Sequence, residues 1–361
     1  MAAWPAGDGV AGYEPVWTAG ERALGLAHAV LGAAEAPVGT TPKTTIWRKN
    51  KARLYRYTRA TPPTRRTPVF LVLPLINRAY ILDLRPGASL VEFLLERGFE
   101  VFLLDWGVPG DEDRGLDLDA LLTRYLPRAL RQASAATGSR SLTLLGYCIG
   151  GTLATCYTAL YPDAPVPIKN LVLFTTPIDF SDAGRFGTWT APAVFPVEKL
   201  TEVLPVVPGS LPDLGSKMLN PLPSTVGAYV RLWDRLGDPG FDVRGWQAMY
   251  RWVNEGVPFP SAAYRQWITE FYQGNKLVKG RLEVGGRRVR LENIRCPLLN
   301  VAAAADQIAP RPTTSAIVRR VASADTEELV LAGGHVGIVV GRAASANLWP
   351  GVADWLDRHD D

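Results

Sequence analysis

Leu142-Thr143-Leu144-Leu145-Gly146-Tyr147-Cys148-Ile149-Gly150-Gly151-Thr152-Leu153-Ala154-Thr155-Cys156-Tyr157 begins as an apolar run and ends as a helix-competent stretch, with Gly-Tyr-Cys-Ile-Gly at the junction. A strand, a sharp turn and a helix form the context in which G-x-nucleophile-x-G lifts a reactive side chain off the top of a sheet. The glycines on either side let the backbone make that strained turn. The apex residue is Cys148, where serine is the commoner occupant, and a thiol there points to acyl transfer through a thioester.

Upstream and downstream the same kind of buried run recurs. Val69–Leu73, Glu100–Leu104, Asn170–Phe174, Leu298–Ala302 and Glu327–Leu331 are near-continuous apolar segments, as expected of parallel strands covered on both faces. Ile46–Lys49 and Ala52–Tyr57 alternate around Asn50-Lys51 and predict an antiparallel hairpin. Helical spacing over Leu90–Arg97, Leu118–Ala135, Ile149–Tyr161, Thr313–Val321 and Ala343–Leu356 fills the gaps, so the chain reads as a doubly wound, mostly parallel α/β sheet. A short Ala-rich helix over 21–34 is expected to lean on the body of the fold. Alternation stops near Thr175 and resumes near Leu298. The stretch between holds Pro192, Pro196, Pro205, Pro208, Pro212, Pro221 and Pro223, helical patterns at Val226–Leu236 and Ala262–Tyr272, and Trp189, Trp233, Trp246, Trp252 and Trp267. It reads as a cap inserted into the sheet, with most of its tryptophans in plain core. The expected organisation is an extension over 1–40, a core over 41–178 and 281–361, and a cap over 179–280.

Composition narrows the class. The 361 residues are 47% hydrophobic and 20% charged, ordinary globular values. A net charge of +4 with scattered Lys and Arg gives no support to nucleic-acid binding. Three cysteines argue for a reducing compartment rather than a disulfide framework, and Cys156 and Cys296 read as small buried hydrophobes. No Cys or His spacing suggests a metal. Met1–Asp8 lacks the pattern of a secretory signal, and no run of eighteen apolar residues occurs, so a cytoplasmic protein is expected.

A thiol at an elbow needs a base and a group to orient it. His28 lies in the amino-terminal helical stretch and His359 at the tail. His335, in Gly333-Gly334-His335, follows the last apolar run, where the nucleophile–acid–histidine order of α/β-hydrolases puts its histidine. The acid belongs after the penultimate strand, where Asp306 stands before Pro310; Asp179, after the run ending near Thr175, is the rival, and Asp105 reads as a loop-fixing residue. An oxyanion hole would draw on the backbone amide of Ile149 and on the loop Pro74-Leu75-Ile76-Asn77-Arg78, with Ile76 the favoured donor. Asn77 reads equally as a turn residue. A thiol that attacks a thioester keeps the acyl group activated, and a hydroxyl acceptor then draws it downhill to an ester. His335 would take the thiol proton or hold the sulfur as thiolate. A transferase using acyl thioesters is the expectation; a cysteine-elbow hydrolase, a thioesterase or polyester depolymerase, is the alternative, and a non-enzymatic binding protein a third.

From about Thr41 to Leu356 the chain resembles the polyhydroxyalkanoate (poly-3-hydroxybutyrate) synthases. The resemblance rests on Pro74–Leu84, the Gly146–Thr152 cysteine box, Thr176-Pro177-Ile178-Asp179-Phe180, Ala305–Pro310 and Gly333-Gly334-His335. The chain's length, Asp105-Trp106-Gly107 and Phe271–Gly280 are similar to the class III catalytic subunit, while Tyr147-Cys148-Ile149-Gly150-Gly151 is closer to single-subunit class I enzymes. Lys49-Asn50-Lys51 lacks the acidic residue expected in that turn. The resemblance implies an α/β-hydrolase fold with a cap and polymerisation of (R)-3-hydroxyacyl-CoA with release of CoA. It implies no cofactor, the CoA thioester being substrate, and Cys148 as the carrier of the growing chain. His335 would then be the base, and Asp306 would assist it or help activate the monomer hydroxyl. A companion subunit, a homodimer and a place on the surface of cytoplasmic storage granules are further expectations from it.

Overall fold

The computed structural model describes residues 18–59, 61–221 and 226–360; Met1–Asp8 and Pro223, read above, lie outside them. Eight strands form one sheet: β1 (Lys43–Lys49), β2 (Ala52–Tyr57), β3 (Val69–Val72), β4 (Val101–Asp105), β5 (Leu142–Tyr147), β6 (Ile168–Phe174), β7 (Leu298–Ala303) and β8 (Thr326–Leu331). Their order is β1-β2-β4-β3-β5-β6-β7-β8. β2 runs against both its neighbours, and every pair from β4 to β8 is parallel. The apolar runs explain the arrangement: β3, β5 and β7 are buried along their whole length, which two covering helical layers achieve and one does not. Helix Leu90–Glu96 meets helix Trp349–Arg358 through Phe93 and Trp349, ring centroids 6.0 Å apart. Helix Ile149–Leu160, buried at every residue, follows β5 directly.

Local chemistry shifts several boundaries. Two short turns, Arg311–Ser315 and Ala316–Arg319, replace the continuous helix expected over Thr313–Val321. A wide π-helical turn, Ala344–Leu348, precedes helix Trp349–Arg358, whose first turn contains Pro350.

Between β6 and β7, which are neighbours in the sheet, the chain leaves to build helices Gly184–Trp189, Val197–Val203, Ser210–Leu219, Val226–Arg235, Val243–Asn254 and Ser261–Gln266, the last continuing as π-helical Trp267–Gln273. This insertion contacts the loops after β3 and β6, so it sits over the carboxyl ends of the strands. Val257 N–H donates to Ile76 O at 2.9 Å, and Phe180 N–H donates to Asn275 Oδ1 at 2.9 Å. The amino-terminal helix Ala19–Gly32 leans on the insertion. Ala29 packs with Leu232 and Leu236, and Gln247 Nε2 donates to Ala29 O at 3.1 Å. The helix's small alanine face allows that close approach.

Candidate active site

Cys148 stands between β5 and helix Ile149–Leu160 with φ 53° and ψ −128°. A non-glycine residue there is strained, and such strain marks functional turns. Three features hold it. Cys148 N–H donates to Phe174 O at 2.9 Å, tying the apex to the end of β6. A Cβ on Gly146 would collide with the Gly151 backbone, and one on Gly150 with the Val72 carbonyl. The box therefore needs glycine for close approach, beyond the turn itself. Ile149 opens the helix, so its amide is among those a helix leaves without an intrahelical acceptor, at the positive end of the dipole.

His335 and Asp306 meet behind the thiol. His335 Nδ1 lies 2.7 Å from Asp306 Oδ2, with both residues 7% exposed. Asp306 Oδ1 accepts from the amides of Ile308 at 2.8 Å and Ala309 at 2.9 Å, so both carboxylate oxygens are engaged and the group is fixed. Burial pulls the imidazole pKa down. The charges of Cys148 and Asp306, with hydrogen bonds to both, outweigh it and push the value up to about 10. The protonated imidazolium is therefore the form this pocket favours. Tyr147, the last residue of β5, lies against the imidazole, centroids 5.4 Å apart, and its hydroxyl donates to His335 O at 3.4 Å. An aromatic at the end of a buried strand reads as core, so nothing in the sequence separated Tyr147 from its neighbours.

The rival residues have other occupations. Asp179 Oδ1 accepts from Ser181 N, Ser181 Oγ and Asn275 Nδ2 at 3.0, 2.7 and 2.8 Å, stitching the loop after β6 to the insertion. Asp105 Oδ1 accepts from Gly107 N at 2.9 Å and fixes a turn. His359 stacks on Trp355 and reaches Asp325 Oδ2 at 2.8 Å; His28 is exposed on the amino-terminal helix. Burial pushes the Cys156 thiol up to about 12 and Cys296 up to about 11, which leaves both poor nucleophiles. Among the described residues no three His, Cys, Asp or Glu side chains gather as metal ligands, and no helix is long and apolar enough to cross a membrane.

The thiol opens into a cavity of about 380 Å³ that Ile76 and Ile149 line beside it. The insertion supplies most of the other walls, with Phe186, Trp189, Tyr264, Trp267 and Tyr272 among them. Phe180 packs edge-on against Trp267 and Tyr272, centroids 5.5 and 4.8 Å apart, and holds these rings. Tyr272 is pushed above its ordinary range, first by burial and then by the nearby Cys148 charge. Of the five tryptophans expected mostly in core, Trp252 and Trp267 are buried, and Trp189 and Trp267 face the cavity. The arrangement sets a thiol and a histidine–carboxylate pair beside apolar, aromatic walls.

Residues 82–342 match the family model described as alpha/beta hydrolase fold, and residues 31–94 match that of the poly-beta-hydroxybutyrate polymerase (PhaC) N-terminus. The chain is 35% identical to the poly(3-hydroxyalkanoate) polymerase subunit PhaC of Haloferax mediterranei over 323 residues, 89% of this chain and 65% of that one. Identity to the protein of the same name from Allochromatium vinosum is 32%, over 91% of this chain and 92% of that one. For the Synechocystis protein of that name it is 33%, over 88% and 85%. Among solved structures, a monoacylglycerol lipase of Paleococcus ferrophilus superposes with a TM-score of 0.54 at 18% identity, over 85% of this chain and 99% of that one. An alpha/beta hydrolase fold protein from Chitinophaga pinensis gives 0.50 at 12%, over 88% and 98%. These two likenesses establish the fold.

Proposed function

The chain belongs to the poly(3-hydroxyalkanoate) polymerase family, and we propose that it joins (R)-3-hydroxyacyl units, delivered as CoA thioesters, into polyester through a covalent thioester on Cys148. The observation that carries this reading is a cysteine at a strained elbow, beside a buried histidine–carboxylate pair, at the floor of an aromatic-walled cavity.

The Cys148 thiolate attacks the thioester carbonyl, and the oxyanion meets the amides of Ile149 and Ile76. The carbon–sulfur bond to CoA then breaks, the His335 imidazolium gives its proton to the departing sulfur, and CoA leaves as a thiol. A hydroxyl of a second hydroxyacyl unit next attacks the Cys148 thioester while its proton passes to the neutral imidazole. The bond to Cys148 breaks, an ester has formed, and thiolate and imidazolium are restored. Asp306 holds the ring and its charge; both its oxygens being engaged supports that role over direct activation of the hydroxyl. A water molecule in place of the hydroxyl would give hydrolysis, so exclusion of water by the insertion sets the outcome. On the same reading the chain works as a homodimer with a companion subunit at the surface of polyester granules in the cytoplasm; its polymerase relatives are themselves named subunits.

The deciding assay incubates purified protein with (R)-3-hydroxybutyryl-CoA, with and without a candidate companion subunit, and measures CoA and polymer. Release of CoA with growth of polymer is expected. CoA release with free hydroxy acid alone would make the protein a cysteine hydrolase, and no release under either condition would make it a binding protein.

A further inference from the structure

The loop after β3 is pinned at three carbonyls, and two of the pins come from the insertion. Leu73 O accepts from the indole of Trp106, just beyond β4, at 3.0 Å. Ile76 O accepts from the Val257 amide at 2.9 Å, and Arg78 O from the Trp252 indole at 2.9 Å. Glu255 lies between those two donors in the chain. Its Oε2 accepts from the Tyr80 hydroxyl at 3.0 Å and faces Arg78 Nε at 3.5 Å, while its Oε1 accepts from Arg251 Nε at 2.7 Å. Trp252 and Val257 are buried, and Gly256 packs backbone to backbone on Gly209, where a Cβ on either would collide. The segment 252–257 is therefore a rigid piece of the insertion that grips the loop on the carboxyl side of Ile76.

We propose that Trp252 and Glu255 are positioning residues for the oxyanion-binding amide of Ile76, so that the insertion, and not the sheet alone, sets where the oxyanion is met. The inference rests on the role given to Ile76 under the proposed function. A donor fixed in advance stabilises charge without reorganising when the charge develops. A displacement on the order of 1 Å can cost about a hundredfold in rate. The carbonyl pins hold the loop's backbone, and Glu255 holds the side chains of Arg78, whose carbonyl is the third pin, and of Tyr80 just beyond it.

The test compares two rates at the same sulfur. One is single-turnover acylation of Cys148 by (R)-3-hydroxybutyryl-CoA, followed by CoA release and by the intact mass of the adduct. The other is alkylation of Cys148 by iodoacetamide, which develops no oxyanion. Trp252→Phe keeps the ring and removes the donor, and Glu255→Gln keeps the shape and removes the charge. Both are expected to slow acylation about tenfold to a hundredfold, with KM for the thioester and the alkylation rate unchanged. Acylation at the wild-type rate in both variants would overturn the proposal, as would acylation and alkylation falling together, which marks general loosening. Tyr80→Phe removes a single hydroxyl and serves if either variant fails to fold; its acylation must fall while alkylation holds, or the proposal is overturned. A wild-type protein that forms no adduct on Cys148 would remove the nucleophile assignment itself, and the clamp with it, a result distinct from failure of the clamp alone.

Discussion

The imidazole of His335 is strongly perturbed, and its perturbation has two checkable consequences. Its folded value of about 10 lies above the ordinary 6.5. The protonated ring therefore contributes stability fully below pH 6.5 and loses it as pH rises through 10. The difference in Tm between wild type and His335→Gln should be greatest below pH 6.5 and shrink towards pH 10; a gap that widens with pH would refute the ion pair. In Cys148→Ala the Cys148 contribution to that rise is gone, so the ring should titrate below its wild-type value, as NMR of the imidazole protons would record. The cysteines separate as cleanly. Cys148→Ala should abolish turnover, whereas Cys156→Ala and Cys296→Ala should keep it, because burial holds those two thiols protonated. A fully active Cys148→Ala ends the assignment. The elbow, the histidine and the acid were readable in the chain because each sits at a fixed offset from an apolar run. Tyr147, Tyr272 and Glu255 were not, since aromatic residues in buried stretches read as core and a lone glutamate after a helix reads as surface.

Among the elements, the turn from β5 into helix Ile149–Leu160 is the least tolerant of change. Gly146→Ala drives a methyl into the Gly151 backbone, and overpacking of this kind costs about 1–3 kcal/mol. Chemical denaturation should show the loss, together with slower alkylation of Cys148 as the elbow shifts; an unchanged midpoint would mean the turn yields more easily than its contacts imply. The strands of the sheet were legible because parallel strands buried on both faces leave uninterrupted apolar runs. β1 begins at Lys43, three residues before its readable alternation: Lys43, Thr44 and Thr45 pair with Tyr57, Arg56 and Tyr55, and the Lys43 ammonium lies over the Tyr55 and Tyr57 rings. Helix Val243–Asn254, which grips the loop after β3 through Trp252, was not legible: its buried residues are few, and its order depends on partners far away in sequence.

Taken as a whole, the molecule keeps Cys148 under a roof of rings, and on the proposed mechanism that roof decides between two fates of the acyl-enzyme. Trp189, half-buried at the cavity wall, is the ring to remove. Trp189→Ala should raise the share of free 3-hydroxybutyrate relative to polymer from the same thioester, read by chromatography of both products; an unchanged ratio would show that water is excluded elsewhere. The amino-terminal helix could not be assigned its partner from sequence, since its alanine face fits the sheet and the insertion equally well. The insertion leaves and rejoins the sheet between β6 and β7, which pair directly from Leu171 to Phe174 and from Leu298 to Val301. Because the two strands run parallel, the chain leaves at the carboxyl end of β6 and re-enters at the amino end of β7, so the segment between them is one long crossover. Whole segments can be lengthened, shortened or exchanged within that crossover while the register aiming Cys148, Asp306 and His335 stays put, so lineages can retool what the enzyme accepts without relearning how to fold.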